Sequence, residues 1–477
     1  LVEPGAEIIS LFDYRARYST YRLDTNLIRL HQQHPIISVW DDHESANDSY
    51  VDGAENHTEG EEGEWETRKA ISKQVYFEWM PIRDNEEQQV YRTLSYGNLA
   101  DLIMLDTRLE GREQQITSIL DTALFAPDRT LLGVDQKAWF LQQLLNSTAK
   151  WKVIGQQVIF SEFNVGWAGS AVGATFEDTE SLFLDIWDGY PAERAQIVSF
   201  LSDNDVDNVV FLTGDFHSSF AFDVGLPSVD LVFQDIPGVG TVPFYNQSPT
   251  YDPATGDGSV AVEFATPSIN SANFDENAGF VVAVGLQAQI NAPIITGGID
   301  LGNPNPHMKY AELIQHGYYI LDIKGDSTQA NYYYTPILEV TNDELFAAGY
   351  YTLDAENHLN AAAGPSEPKE IQDTPAPLDP PPFTSSTRNV LENLRVLAVY
   401  PNPAKDIVDL QYALNAPSRV RVELLDANGR ALRTLRDERL GTGLYTLRAP
   451  VLDLPAGTYF LRLSTSEGQI SQVILKK

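Results

Sequence analysis

Asp41-Asp42-His43-Glu44 sets four ionisable side chains in a row directly after the largely apolar stretch His34–Trp40. The design recurs at Asp215-Phe216-His217, which follows the apolar run Val209–Thr213 and Gly214. Carboxylate oxygens and imidazole nitrogens are the donors that Fe, Mn, Zn or Ca accept. Two such ions held about 3.5–4 Å apart clamp a phosphoryl group and activate water. A centre of that kind draws its ligands from several loops at once. Either loop alone is equally well a surface turn of solvated acids, whereas two loops of one design point to a site.

Those loops need elements to carry them. In an open α/β sheet, ligands bind beyond the carboxyl ends of the strands. His34–Trp40 reads as a first buried strand, residues 98–105 as a second ending in Asp106-Thr107-Arg108, and Val209–Thr213 as a third. In an extended segment, Asp215 and His217 would face one side and reach one metal. Gly214 permits a sharp turn after the strand. Asp24 is expected to cap a helix running through His31, and residues 67–80 return to helical spacing. Asp135 is expected to cap a helix carrying Trp139, Leu141, Leu144 and Leu145, and Pro191 to open one running to Leu201. Residues 150–155, 259–269, 279–288, 318–323 and 332–334 read as strands. Strand, helix, strand in this order predicts an α/β fold.

Composition bounds the partners. The net charge is -35 and no basic stripe offsets it, which argues against nucleic acid beyond a possible phosphodiester substrate. The absence of Cys excludes disulfides and thiolate ligands within these residues. No run of about eighteen apolar residues predicts a membrane span. The acidity is uneven: from residue 391 onward basic residues outnumber acidic ones, 12 to 9. Residues 364–386 are rich in Pro and read as an extended linker. Beyond Val396, short strands alternate with turns, including a hairpin signal at Asn428-Gly429, and predict a small β-sandwich.

Several stretches together resemble the PhoD family of alkaline phosphatases and phosphodiesterases. They are Trp40-Asp41-Asp42-His43-Glu44 with Asn47; Asp52-Gly53-Ala54-Glu55-Asn56-His57; Trp65-Glu66-x-Arg68-Lys69-Ala70; and Tyr91-Arg92-x-Leu94-Ser95-Tyr96-Gly97. Leu105-Asp106-Thr107-Arg108, Trp151-Lys152-Val153, Trp187-Asp188-Gly189-Tyr190-Pro191 and Leu212-Thr213-Gly214-Asp215-Phe216-His217 follow in order. Val262-Glu263-Phe264-x-Thr266-Pro267-Ser268 and Asn305-Pro306-His307-x-Lys309-Tyr310 complete the series. The resemblance implies a metallophosphoesterase four-layer sandwich, two mixed sheets flanked by helices. It implies hydrolysis of phosphate esters with Fe(III) and Ca, a metal-bound water or oxide attacking phosphorus. By the same resemblance, Asp42, Asn47, Asp215 and His217 are metal ligands and His43, with Asp42, is catalytic. Asn47, Arg108 and His307 are the expected substrate contacts, with Asp106 and Arg108 read as an ion pair lining the site. Asp41 and Glu44 are expected to buttress, His57 to sit at the rim, and Trp187 and Tyr190 to pack. The family's first metal motif, a Gly-Asp-Tyr-Ile-Tyr-Glu-like segment, and its Cys ligand are expected upstream of residue 6. The sequence therefore reads as N-terminally incomplete.

Val399-Tyr400-Pro401-Asn402-Pro403-Ala404, Leu425-x-x-x-Gly429-Arg430, Leu454–Arg462 and the terminal Lys476-Lys477 resemble a type A sorting domain of the type IX secretion system. This implies export through that machinery, by way of the periplasm of a Gram-negative bacterium, to a secreted or cell-surface location. The expected organisation is a catalytic domain over 1–360, a linker over 361–394 and a sorting domain over 395–477. A catalytically inactive, surface-displayed binding protein is the alternative to a phosphatase or phosphodiesterase acting on small phosphate esters.

Overall fold

A computed structural model describes residues 4–83, 85, 87–169, 173–238, 240–339, 341–368, 393–426 and 429–477. The chain divides into two compact units, Leu1–Asp373 and Thr374–Lys477. The linker expected at 361–394 falls largely on 369–392, outside the described residues, as does Asn428 of the expected turn.

The first unit is built on a seven-stranded mixed sheet. Its strands are β1 (Arg92–Tyr96), β2 (Ala100–Met104), β3 (Trp151–Gly155), β4 (Val209–Thr213), β5 (Ser219–Gly225), β8 (Ser259–Ala265) and β9 (Met308–Glu312). They lie in the order β1-β2-β3-β4-β8-β5-β9. β2, β3, β4 and β8 run parallel, so their carboxyl ends share one edge. Strands covered on both faces carry unbroken apolar runs, and Val209-Val210-Phe211-Leu212 is one. Successive residues turn to opposite faces. Ile103, Ile154, Val209 and Phe211 pack against helices α4 (Val134–Asn146) and α5 (Pro191–Asp203). Trp151, Val153, Val210 and Phe264 pack instead on Ala330, Tyr332 and Tyr334 of a second sheet.

That second sheet comprises β10 (Gly317–Ile323), β11 (Ser327–Tyr334), β12 (Leu345–Leu353) and β13 (Asn360–Ala361). Every pairing in it is antiparallel, not mixed as the resemblance implies, because consecutive strands follow one another as neighbours. Between β5 and β8 lies a two-stranded hairpin, β6 (Val229–Ile236) with β7 (Gly240–Gln247).

Other elements sharpen the sequence reading. α1 (Leu11–Tyr21) precedes α2 (Thr25–Gln33), which Asp24 caps through Asn26 N and Leu27 N. α3 spans Trp65–Trp79. Gly133, not Asp135, is the N-cap of α4; Asp135 lies in the first turn, where a carboxylate suits the helix dipole. Residues 35–40 are not a strand: they run without ladder partners, and Trp40 anchors them in a satellite core with Trp65, Tyr76, Val90 and Leu109. Phe280–Gln289 is a helix, α6, rather than a strand. Its Val-rich sequence favours strands, but Leu286 and Ile290 meet the core and Ala283, at helical spacing from them, is buried, and that packing overrides propensity. Among the described residues no helix is long and apolar enough to cross a membrane.

The second unit is all β. β14 (Leu394–Tyr400), β15 (Ile407–Leu414) and β18 (Gly443–Pro450) form one antiparallel sheet. β16 (Ser418–Leu425), β17 (Ala431–Leu440), β19 (Gly457–Thr465) and β20 (Gly468–Lys476) form another. Alternate residues Val408, Leu410, Tyr412 from the first and Val420, Val422, Leu424 from the second close a common core.

Candidate metal centre

The segments after β2, β3 and β4 emerge at one sheet edge, and a short polar network ties the Asp41–Asp48 loop to them. Gln157, two residues past β3, donates from Nε2 to the Trp40 carbonyl at 2.6 Å, while its Oε1 accepts from the Thr107 hydroxyl, also at 2.6 Å. The loop then closes on its own acids. Asp42 accepts from His43 N at 2.7 Å and from Asp48 N at 2.8 Å. Glu44 accepts from Asp41 N at 2.7 Å, and burial pushes its carboxyl up to about 7. On β8, beside β4, buried Glu263 accepts from Phe160 N and Ser161 N, both at 2.8 Å, and from the Thr213 hydroxyl at 2.6 Å.

The Asp215–His217 loop is not extended. Asp215 and His217 have φ of 59° and 62°, a left-handed conformation that non-glycine residues adopt at a cost and that clusters at functional sites. The turn nevertheless brings Asp215 to the first loop: carboxylate oxygens of Asp41, Asp42 and Asp215 lie within 4.8 Å of one another.

Arg108, wholly buried, stands among them. Its Nε donates to Asp41 at 2.7 Å, its Nη1 to both oxygens of Asp185 at 2.9 and 2.8 Å, and its Nη2 to Asp215 at 2.9 Å. The expected Asp106–Arg108 ion pair is absent; Asp106 instead accepts from the backbone N–H groups of Arg108 and Leu109 at 2.9 Å. Arg112 and Gln115 complete the shell of Asp185.

Five carboxylates, Asp41, Asp42, Asp48, Asp185 and Asp215, thus face two guanidinium groups. Burial would raise Asp185, but Arg108 and Arg112 hold it down at about 2. Asp48 goes the other way, up to about 7, through burial and the charge of Asp185. Asp215 is driven well above the carboxylate range by burial and by Asp41, against the pull of Arg108. A bound cation would relieve this surplus of negative charge, so the residues present fit a metal. His217, expected as a ligand, lines the same hollow as Asp41 and Asp215 but is not among the residues whose ligand atoms converge within 4.8 Å. Its Nδ1 lies 2.8 Å from the Ala272 carbonyl, which accepts only from an N–H, so in the neutral ring Nε2 carries the lone pair.

The other expected residues lie as follows. His43 is largely exposed and lines the same hollow as Asp41, Glu44, Asp215 and His217. The Asn47 amide donates to Glu55 at 2.7 Å. The guanidinium nitrogens of Arg108 bond carboxylates and have no solvent-facing surface to offer a substrate. His307 stands apart, its buried ring bonded to the Ser228 hydroxyl at 2.7 Å and the Glu162 carbonyl at 2.8 Å. His57 is enclosed beside Glu59 and Trp65, and Trp187 and Tyr190 are core residues. Sequence reasoning missed Asp185 and gave Asp41 only a supporting part. The available signal for Asp185 was a lone acid inside Leu182-Phe183-Leu184-Asp185-Ile186-Trp187.

Residues 398–477 match the model of the secretion system C-terminal sorting domain. Alkaline phosphatase D from Bacillus subtilis (strain 168) is 38% identical over 226 residues, 46% of this chain and 37% of that protein. A solved structure of PhoD matches with a TM-score of 0.58 at 28% identity, covering 76% of this chain and 61% of that one. The chain thus spans less than two thirds of the length of either relative. Residues 1–332 match the model of the PhoD-like phosphatases, and the chain belongs to that family.

Proposed function

We propose that this chain carries a metal-dependent site that hydrolyses small phosphate esters, as an alkaline phosphatase, a phosphodiesterase or both. The observation that carries the reading is the convergence of Asp41, Asp42 and Asp215 within 4.8 Å. Asp41, Asp42, Asp215 and His217 would hold the metals, Fe(III) and Ca by family, with Asn47 at their edge. Bound there, such ions neutralise phosphoryl oxygens and lower the pKa of water. Arg108 and Asp185 keep the carboxylates at fixed separations, and Glu44 fixes the loop backbone. His43, exposed beside the trio, would protonate the leaving oxygen.

The scaffold of this reading is the four-layer metallophosphoesterase sandwich over 1–360, followed by a linker over 361–394 and a sorting domain over 395–477. The tail would pass the protein to the type IX machinery from the periplasm of a Gram-negative bacterium, for release or surface display. Deleting 395–477 should leave the protein in the periplasm; undiminished export would remove this part. For the activity, the full-length protein loaded with Fe(III) and Ca is assayed on p-nitrophenyl phosphate and bis-p-nitrophenyl phosphate. Release of nitrophenol from either is the expected result, and inertness towards both overturns the reading.

A further inference from the structure

Two hollows meet at Asp215 and His217. The larger, about 780 Å³, is walled by Asp41, His43, Arg22 and tyrosines of the N-terminal helices. The smaller, about 390 Å³, also reaches Asp185, but the rest of its wall is chiefly apolar. Phe183, Phe216 and Phe274 form its aromatic side, with ring centroids 5.1, 5.6 and 6.0 Å apart. All three rings are only partly covered. Leu182, 69% exposed, extends the apolar surface at the rim. Of the two lining asparagines, the Asn273 oxygen accepts from Phe274 N at 2.8 Å and from Ser218, and the Asn277 amide donates to the Ala272 carbonyl at 3.5 Å.

An apolar wall abutting a group of carboxylates offers nothing to a phosphoryl group. It rewards burial of apolar surface, and it penalises hydroxyls that would lose water without gaining a partner. We propose that this hollow is the leaving-group subsite and that it selects phosphate esters of apolar alcohols, aryl or medium-chain alkyl, over esters of polyols. The inference rests on the phosphate-ester reading of the carboxylate group. The phosphoryl group would lie against Asp215 and His217 with its alcohol arm along Phe183, Phe216 and Phe274.

The test compares butyl with octyl phosphate, both below micelle-forming concentration, on the metal-loaded full-length protein. Their leaving alcohols have nearly equal acidity, so a difference reports on binding. A fully buried methylene is worth up to about fourfold, so octyl phosphate should exceed butyl phosphate by at least about tenfold in kcat/KM. Phe274→Ser and the surface variant Leu182→Ser should each shrink that ratio, which is internal to each variant and unaffected by the fraction folded. Octyl- and butylphosphonate, which are not hydrolysed at the P–C bond, give the same comparison by titration calorimetry. A wild-type ratio near one, or a ratio that neither variant moves, overturns the subsite. Chain-length-dependent phosphonate binding without hydrolysis of any ester would keep the subsite and overturn the phosphatase reading instead.

Discussion

Arg108 Nη2 and the Asp215 carboxylate lie 2.9 Å apart, although 107 residues separate them in sequence. The contact joins the loop after β2 to the loop after β4, and the remaining nitrogens of the same guanidinium reach Asp41 and Asp185. One buried cation thereby holds carboxylates from three further segments. The pairing is needed because burial and mutual repulsion oppose the charged form of these acids.

Replacing Arg108 by Met should leave those carboxylates without their central partner. Removing one side of a buried ion pair costs roughly 3–5 kcal/mol, and urea denaturation of the metal-free protein should show a loss of that order. Added Ca should restore part of it, since a ligand that binds only the folded state stabilises it by mass action. An unchanged midpoint would contradict the proposed role of Arg108.

Asp215→Asn acts differently. It replaces a carboxyl whose ionisation burial and Asp41 already oppose, so the metal-free variant should be about as stable as the parent. Metal content measured by mass spectrometry should fall, and hydrolysis with it. Retained activity would show that the reaction centre lies elsewhere.

His43→Gln tests the proton donor. General acid catalysis contributes roughly 10²–10⁴-fold, most where the leaving group is a poor one. Turnover of alkyl phosphates should therefore fall far more than turnover of p-nitrophenyl phosphate. Equal losses on both would argue against proton transfer by this ring.

His307 supplies a pH dependence away from the centre. Burial lowers its folded-state value from 6.5 to about 4. Between those values the unfolded chain binds a proton that the folded chain refuses, so stability present above pH 6.5 is lost as the pH falls towards 4. His307→Asn should flatten the change in melting temperature across that window, as followed by calorimetry. A slope identical to the parent's would exclude His307 as its source.

Some of this was legible locally. Val209–Thr213 is apolar because both sheet faces are covered, and Asp215 and His217 follow it directly. Asp24 marks a helix start because its carboxylate satisfies backbone N–H groups within three residues. The absence of Cys limits the possible ligands from composition alone. Each of these depends on neighbours a few residues apart, and periodicity and capping record such neighbours.

Tertiary structure decided the rest. Residues 35–40 look like a strand, but they are held by the side chains of Gln157, Trp65 and Tyr76 rather than by a ladder. Residues 280–289 carry strand-favouring valines, yet a helix puts Ala283, Leu286 and Ile290 on one inward face. Asp185 joins the centre through Arg108, 77 residues away. Asp41 belongs to the trio because the turned Asp215 carboxylate comes within reach of it. Contacts of this range leave no local period, because they arise only when parallel strands deliver separate loops to a common edge.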